Sequence, residues 1–139
     1  MKIFASLGLA VSLAATAFAM PATAQSSNPD NMLVITTKNG DIDIQLRPDL
    51  APSHVERIKE LAKEGFYDGV VFHRVIEGFM AQTGDPTGTG MGGSDKPDLK
   101  AEFSEETFDR GTVGMARSQD PNSANSQFFI MLADGDFLD

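Results

Sequence analysis

The sequence predicts a mainly β fold, a closed or nearly closed sheet accompanied by a single helix. Three observations carry this expectation. Two strand-like runs flank an Asn-Gly pair; one stretch alone has apolar residues at helical spacing; and four further short runs have strand character, separated by glycine- and proline-containing segments.

The chain has 139 residues, no Cys and no Trp, and a formal net charge of −9. This fits one globular domain and excludes a disulfide framework or a thiolate metal site. No Lys/Arg cluster appears, so nucleic acid is not an expected partner. The first residues, MKIFASLGLAVSLAATAFAMPATAQ, combine a positive Lys2, an apolar run from Ile3 to about Met20, and Ala22 and Ala24 in an A-x-A arrangement. That pattern predicts a secretory signal over residues 1–24, cut after Ala24, and hence a periplasmic or secreted protein. The alternative is a retained anchor, against which it counts that the run is Ala-rich and only just long enough to span a membrane. Without a Cys to acylate, a lipoprotein is excluded. Residues 25–31 read as a polar linker and residues 32–139 as the domain.

In MLVITTKNGDIDIQL, the turn-favouring pair Asn39-Gly40 predicts a hairpin, whose first strand is Leu33 to Thr37. Ile42, Ile44 and Leu46 alternate with Asp41, Asp43 and Gln45, so one face meets the core and the other meets water. APSHVERIKELAKEGF follows. Ser53 and Glu56 form a capping-box pattern, Val55, Ile58 and Leu61 repeat at helical spacing, and Gly65 sits where a helix would stop. Strands are expected at Val70 to Ile76, Phe79 to Thr83, Thr112 to Ala116 and Gln127 to Leu132. The loop TGTGMGGSDKPD lacks a Gly-Lys-Ser/Thr ending, and Pro97 prevents a helix from starting there, so it is not a phosphate cradle; its glycines allow tight bends.

Few residues remain that could carry chemistry. There is no Cys nucleophile, no Gly-x-Ser-x-Gly elbow, and neither His54 nor His73 has metal-ligand spacing. Two stretches stand out. In FHRVIEGFMAQTGD, strand alternation would put Arg74 on the face of Phe72 and Ile76, where a guanidinium is costly unless it reaches water or is held for use. In SQFFIML, the same alternation puts Gln127, Phe129 and Met131 on one face, either as an ordinary core strand or as a pocket for an apolar group with an orienting amide.

FHRVIEGFMAQTGD, GTVGMARS and NSQFFIMLADGDFLD, in that order, resemble the three signature blocks of the cyclophilin family of peptidyl-prolyl cis/trans isomerases. The hairpin and APSHVERIKELAKEGFYDG match as well, so the resemblance covers Leu33 to Asp139. It implies an antiparallel eight-stranded β-barrel capped by helices, with a peptide groove on its outer face. It also implies isomerisation of Xaa-Pro bonds in proline-containing polypeptides, assisting protein folding, by a monomer that uses no metal or other cofactor. By the resemblance, the catalytic arginine is Arg74; the side-chain oxygen of Gln82 is suited to hold its guanidinium, so Gln82 is expected to share the catalytic site. The proline pocket is formed by Phe79, Met80, Phe129 and Leu138, and the peptide is oriented at Gln82, Ala116 and Gln127.

Departures from the family pattern qualify these implications. Arg117 stands where many members have Asn, and Phe137 stands where a Trp often helps bind cyclosporin, so weak cyclosporin binding is expected. Family members continue past the position of Asp139 with a strand, a second helix and a closing strand. The pattern therefore predicts a C-terminally incomplete domain with an unpaired edge at Leu33 to Thr37. The alternatives to an active isomerase are a non-catalytic peptide-binding or chaperone module and an inactive fragment.

Overall fold

The computed structural model describes residues 28–138, so the expected signal at 1–24 lies outside the described residues. Six strands and one α-helix follow a single 3-10 turn at Pro29–Asn31, and a second such turn, Asp136–Leu138, follows the last strand. The strands are β1 (Met32–Thr37), β2 (Gly40–Gln45), β3 (Arg74–Ile76), β4 (Met80–Thr83), β5 (Val113–Met115) and β6 (Phe128–Met131), with helix α1 (Pro52–Lys63) between β2 and β3. All pairings are antiparallel: β1 with β2 in one sheet, and the order β3-β4-β6-β5 in the other. Among the described residues β1 pairs with β2 alone.

The expected hairpin forms with its turn one residue earlier. Thr37 pairs with Gly40, leaving Lys38 and Asn39 as the turn, and the positive φ of 125° falls on Gly40. Asn39 does not take a positive φ, so the turn is not the mirror-image type that an Asn-Gly centre favours. Thr37 reinforces this arrangement: its Oγ1 donates to Gly40 O at 2.7 Å and accepts from Asn39 N–H at 3.1 Å. Leu33 lies opposite Ile44 and Ile35 opposite Ile42, which makes one apolar face.

Val55, Ile58 and Leu61 are all buried, as their spacing requires. The helix stops in a Schellman arrangement: Phe66 N–H donates to Leu61 O at 3.0 Å, Gly65 N–H donates to Ala62 O at 3.1 Å, and Gly65 takes φ 73°. Its start differs from the expected capping box. The N-cap is Ala51, whose side chain offers no oxygen, and the cap comes from far along the chain. The Glu102 carboxylate accepts from the N–H groups of Ser53 and His54, each at 3.1 Å, and lies 2.9 Å from His54 Nδ1. Two orphan donors at the positive end of the helix dipole thus meet one anion.

The core forms between the two sheets and the helix. Ile44, Ile58 and Phe128 are buried together, with Leu33, Ile35, Ile42, Leu46, Tyr67, Val113, Met115 and Ile130 packed against them. Burying a side chain of this size contributes roughly 1.5–3 kcal/mol. Tyr67 ties the end of the helix to β6. Its ring meets Phe128 edge-on at 5.7 Å and its hydroxyl donates to Ser126 O at 2.9 Å, while burial pushes its pKa up and keeps the phenol protonated. Arg57 is a second anchor, buried to 8% exposure, with Nη2 donating to Pro97 O at 2.8 Å.

Burial alone would raise the Glu102 pKa, but the backbone N–H groups of Ser53 and His54 outweigh it and hold the carboxyl below its ordinary value. The stabilisation from this cap is therefore present above the ordinary Glu range and is lost as the pH falls through it toward the folded-state value. Glu102→Gln is expected to cost about 1 kcal/mol at pH 7. The difference between the thermal melts of the two proteins should shrink as the pH falls below the ordinary Glu range and Glu102 is protonated.

Candidate peptide-binding groove

The strand register puts the key residues in one line. Arg74 lies opposite Gln82, Gln82 opposite Phe129, and Phe129 opposite Gly114, so these four share one face across the whole four-stranded sheet. The neighbouring row on that face is Ile76, Met80 and Met131. Phe128, Ile130, Val113 and Met115 point the other way, into the core. Alternation within β4 and β6 therefore does two jobs: one face holds the molecule together and the other is left for a ligand.

On the ligand face, Met80 and Met131 are buried to 2% and 1% exposure, and Met80 forms the floor. Phe129 stacks on Phe108 at a centroid distance of 5.7 Å and 24° between planes. Phe79 meets the exposed Phe137 at 5.4 Å. Arg74, Phe79, Met80, Gln82, Ala116, Phe129 and Leu138 are among the residues lining one large open cavity, which also reaches Ile44, Ile58 and Phe128 of the core. Gln127 stands behind Gln82, and Phe137 stands against Phe79. Ala116 is held at the rim by its N–H, which donates to Gln127 O at 2.9 Å.

Arg74 does not sit as strand alternation predicts. Regular pairing begins only at Arg74, so residues 70–73 do not alternate, and Phe72 lines a separate apolar cavity with Ala81 and Ile130. All three residues of β3 are exposed. The guanidinium is therefore not buried among apolar neighbours; it is open to solvent and approached from one side by Gln82, with Nη1 3.5 Å from Gln82 Oε1.

A directed chain of hydrogen bonds sets the orientation of Gln82. Gln127 Nε2 donates to Gly90 O at 3.0 Å and to Gly92 O at 2.8 Å. Its Oε1 then accepts from Gln82 Nε2 at 2.8 Å. A carbonyl can only accept, so Gln127 must offer its NH2 to the loop and its oxygen to Gln82. Gln82 must in turn offer its NH2 to Gln127, which leaves its oxygen for Arg74.

The glycine-rich loop, whose glycines are expected from sequence only to allow tight bends, thus has a defined part in the site. The residue that shapes it, Asp85, was missed; the signal available was an Asp followed by Pro, Thr, Gly, Thr and Gly, a turn-forming run whose Thr and Gly bring N–H and hydroxyl donors onto a local carboxylate. Asp85 is wholly buried. Burial would push its carboxyl up, but the Thr87 hydroxyl and the N–H groups of Gly92, Thr87 and Gly90 outweigh this and hold it well below the usual carboxylate range.

The family model for cyclophilin type peptidyl-prolyl cis-trans isomerase/CLD matches residues 32–139. A probable peptidyl-prolyl cis-trans isomerase of Brucella suis biovar 1 is 59% identical over 127 residues, covering 84% of this chain and 65% of that protein. The Arabidopsis thaliana peptidyl-prolyl cis-trans isomerase CYP57 is 42% identical over 115 residues, covering 77% of this chain and 22% of that protein. Among solved structures, the cyclophilin AquaCyp293 from Hirschia baltica aligns with a TM-score of 0.73 and 31% identity, covering 81% of this chain and 61% of that one. A Cryptosporidium parvum cyclophilin type peptidyl-prolyl cis-trans isomerase, crystallised in the presence of the dipeptide Ala-Pro, aligns with a TM-score of 0.74 and 35% identity, covering 78% and 72%. The fold and the outer-face groove thus define a mainly β, antiparallel domain with a ligand surface on one sheet. The chain belongs to the cyclophilin-type peptidyl-prolyl cis-trans isomerase family, and it spans 65% of the length of its Brucella relatives.

The directed chain yields a prediction about stability. Gln127→Glu would set a carboxylate against two carbonyl oxygens and remove both donors, costing about 1–3 kcal/mol at pH 7. That carboxyl would have a raised pKa in the folded state, so the deficit should shrink as the pH falls and protonation restores a donor. Urea unfolding of both proteins at pH 7 and about pH 5 checks the magnitude and the sign.

Proposed function

We propose that the protein catalyses cis/trans isomerisation of Xaa-Pro peptide bonds, with Arg74 as the catalytic residue. The observation that carries this reading is the row Arg74–Gln82–Phe129, which sets an oriented guanidinium beside an apolar floor. The substrate class agrees with the Ala-Pro dipeptide used with the Cryptosporidium neighbour.

Rotation about a peptide bond to proline meets a barrier of about 18–20 kcal/mol because it breaks amide resonance. In the twisted state the prolyl nitrogen regains a localised lone pair. A donor aimed at that nitrogen stabilises the twisted state more than the planar one, so its effect falls on the rate and not on binding alone. Arg74 supplies the donor and keeps its charge throughout, so no covalent intermediate or acid–base pair is required. Lowering the barrier by about 6 kcal/mol would bring tens of seconds to around a millisecond.

Phe79, Met80, Phe129 and Leu138 would hold the proline ring while the preceding carbonyl swings. Gln82 and the backbone at Ala116 orient the peptide, while Gln127, its amide fully engaged by Gln82 and the glycine-rich loop, acts from behind Gln82. Phe137, exposed and resting on Phe79, extends the apolar wall and accords with weak cyclosporin binding. In this reading the protein acts as a monomer that assists folding in the periplasm or outside the cell, following export by the signal at residues 1–24. A non-catalytic binding module would use the same apolar floor but give Arg74 no task.

A protease-coupled isomerisation assay on the full-length protein, run with chelator present, tests the reading; acceleration over the spontaneous rate is expected, and a rate equal to it would remove the enzymatic role. Arg74→Ala should lower kcat/KM by on the order of 10²-fold with an unchanged circular dichroism spectrum. Arg74→Lys should recover little of this, since an ammonium cannot reproduce the planar fork of donors.

A further inference from the structure

We infer that Asp85 is a positioning residue for the Arg74 guanidinium, acting through the glycine-rich loop and the two glutamine amides without touching the substrate. This inference rests on the isomerase reading above. It begins from a buried anion that the proposed reaction does not use.

Asp85 follows β4 by two residues and is wholly enclosed. Its carboxylate accepts from the N–H groups of Thr87 at 2.8 Å, Thr89 at 3.1 Å, Gly90 at 2.6 Å and Gly92 at 3.1 Å. It also accepts from the hydroxyls of Thr87, at 2.8 and 2.9 Å, and Thr89, at 3.3 Å. Every one of these groups donates, and a carboxylate accepts only, so the segment from Thr87 to Gly92 is wound about one charge. The winding is tight enough that a Cβ at Gly92 would come within 2.2 Å of Asp85 Oδ1.

Two carbonyls of this same segment, Gly90 O and Gly92 O, hold Gln127 Nε2. Both belong to residues whose own N–H is pinned by Asp85. The anion therefore sets where those carbonyls stand, the carbonyls set which way the Gln127 amide faces, and Gln127 sets Gln82. If the loop loosens, Gln127 is free to turn over. Gln82 can then present its NH2 to the guanidinium, two donors facing one another, and Arg74 loses the Gln82 oxygen as its acceptor. Displacements of about 1 Å at a reacting group are enough to cost up to 10²-fold in rate.

Asp85→Asn keeps the shape but removes the charge and puts a donor where the loop needs an acceptor. In the full-length protein it should lower kcat/KM by about tenfold or more, chiefly in kcat. In an Arg74→Ala background the same substitution should cost less than about twofold, because its effect passes through Arg74. Nitrogen–proton NMR supplies a readout independent of activity: the side-chain amide signals of Gln82 and Gln127 should shift and lose exchange protection, while the backbone signals of β4 and β6 persist. Equal losses in both backgrounds, or unchanged glutamine amide signals, would overturn the inference. If Asp85→Asn does not fold, Thr87→Val removes one donor to the anion and carries the same two readouts. Should the wild-type protein prove inactive, the isomerase reading fails on that result alone, and the amide signals still decide whether Asp85 orients the glutamines.

Discussion

The hydrogen bond from Gln82 Nε2 to Gln127 Oε1, 2.8 Å long, is where the sheet, the glycine-rich loop and the exposed guanidinium meet. Each side-chain amide could face either way, and the two states are nearly equal in shape. What separates them is the polarity of their neighbours, and that polarity is anchored at the far end by backbone carbonyls that cannot donate. A solvent-open arginine thereby acquires a partner without being buried, avoiding the desolvation that an enclosed guanidinium would suffer.

The fold supports this arrangement by splitting the sheet into two surfaces. Phe128 and Ile130 on β6 face Ile44 of the hairpin and Ile58 of the helix, and this packing fixes the height and tilt of the strand. Phe129 and Met131, one residue out of step, are carried onto the opposite surface by the same backbone. Ser126, wholly buried two residues before β6, accepts the Tyr67 hydroxyl through its carbonyl and donates its own hydroxyl to Gly84 O at 2.8 Å. It locks β6 to the end of β4 at the point where the loop leaves the sheet, and Gln127 follows immediately.

Much of this was legible because it is local. The alternation of Ile42 and Ile44 with aspartates, the spacing of Val55, Ile58 and Leu61, and the shared face of Phe129 and Met131 are all short-range patterns, and all appear in the structure; Gln127 falls just before β6, outside the paired register. The failures have one cause: partners distant in sequence. Ser53 and Glu56 look like a complete cap, yet Glu102, separated from His54 by 48 residues, occupies that place. Phe72 and Arg74 look like strand neighbours, yet pairing starts only where Gln82 is available opposite Arg74. The glycines of residues 84–93 look like bends, and only the closeness of Gln127 gives two of their carbonyls a task. Charge balance hid Asp85 as well, since one more carboxylate in an acidic chain draws no notice until its burial is seen.

A crystal structure of the full-length protein with a bound Ala-Pro dipeptide tests the central claim most directly. The account predicts the proline ring over Met80 between Phe79 and Phe129, with Arg74 donors directed at the prolyl nitrogen and Gln82 Oε1 still on the guanidinium. A proline ring seated elsewhere, or a guanidinium turned away from the prolyl nitrogen toward solvent, would contradict it.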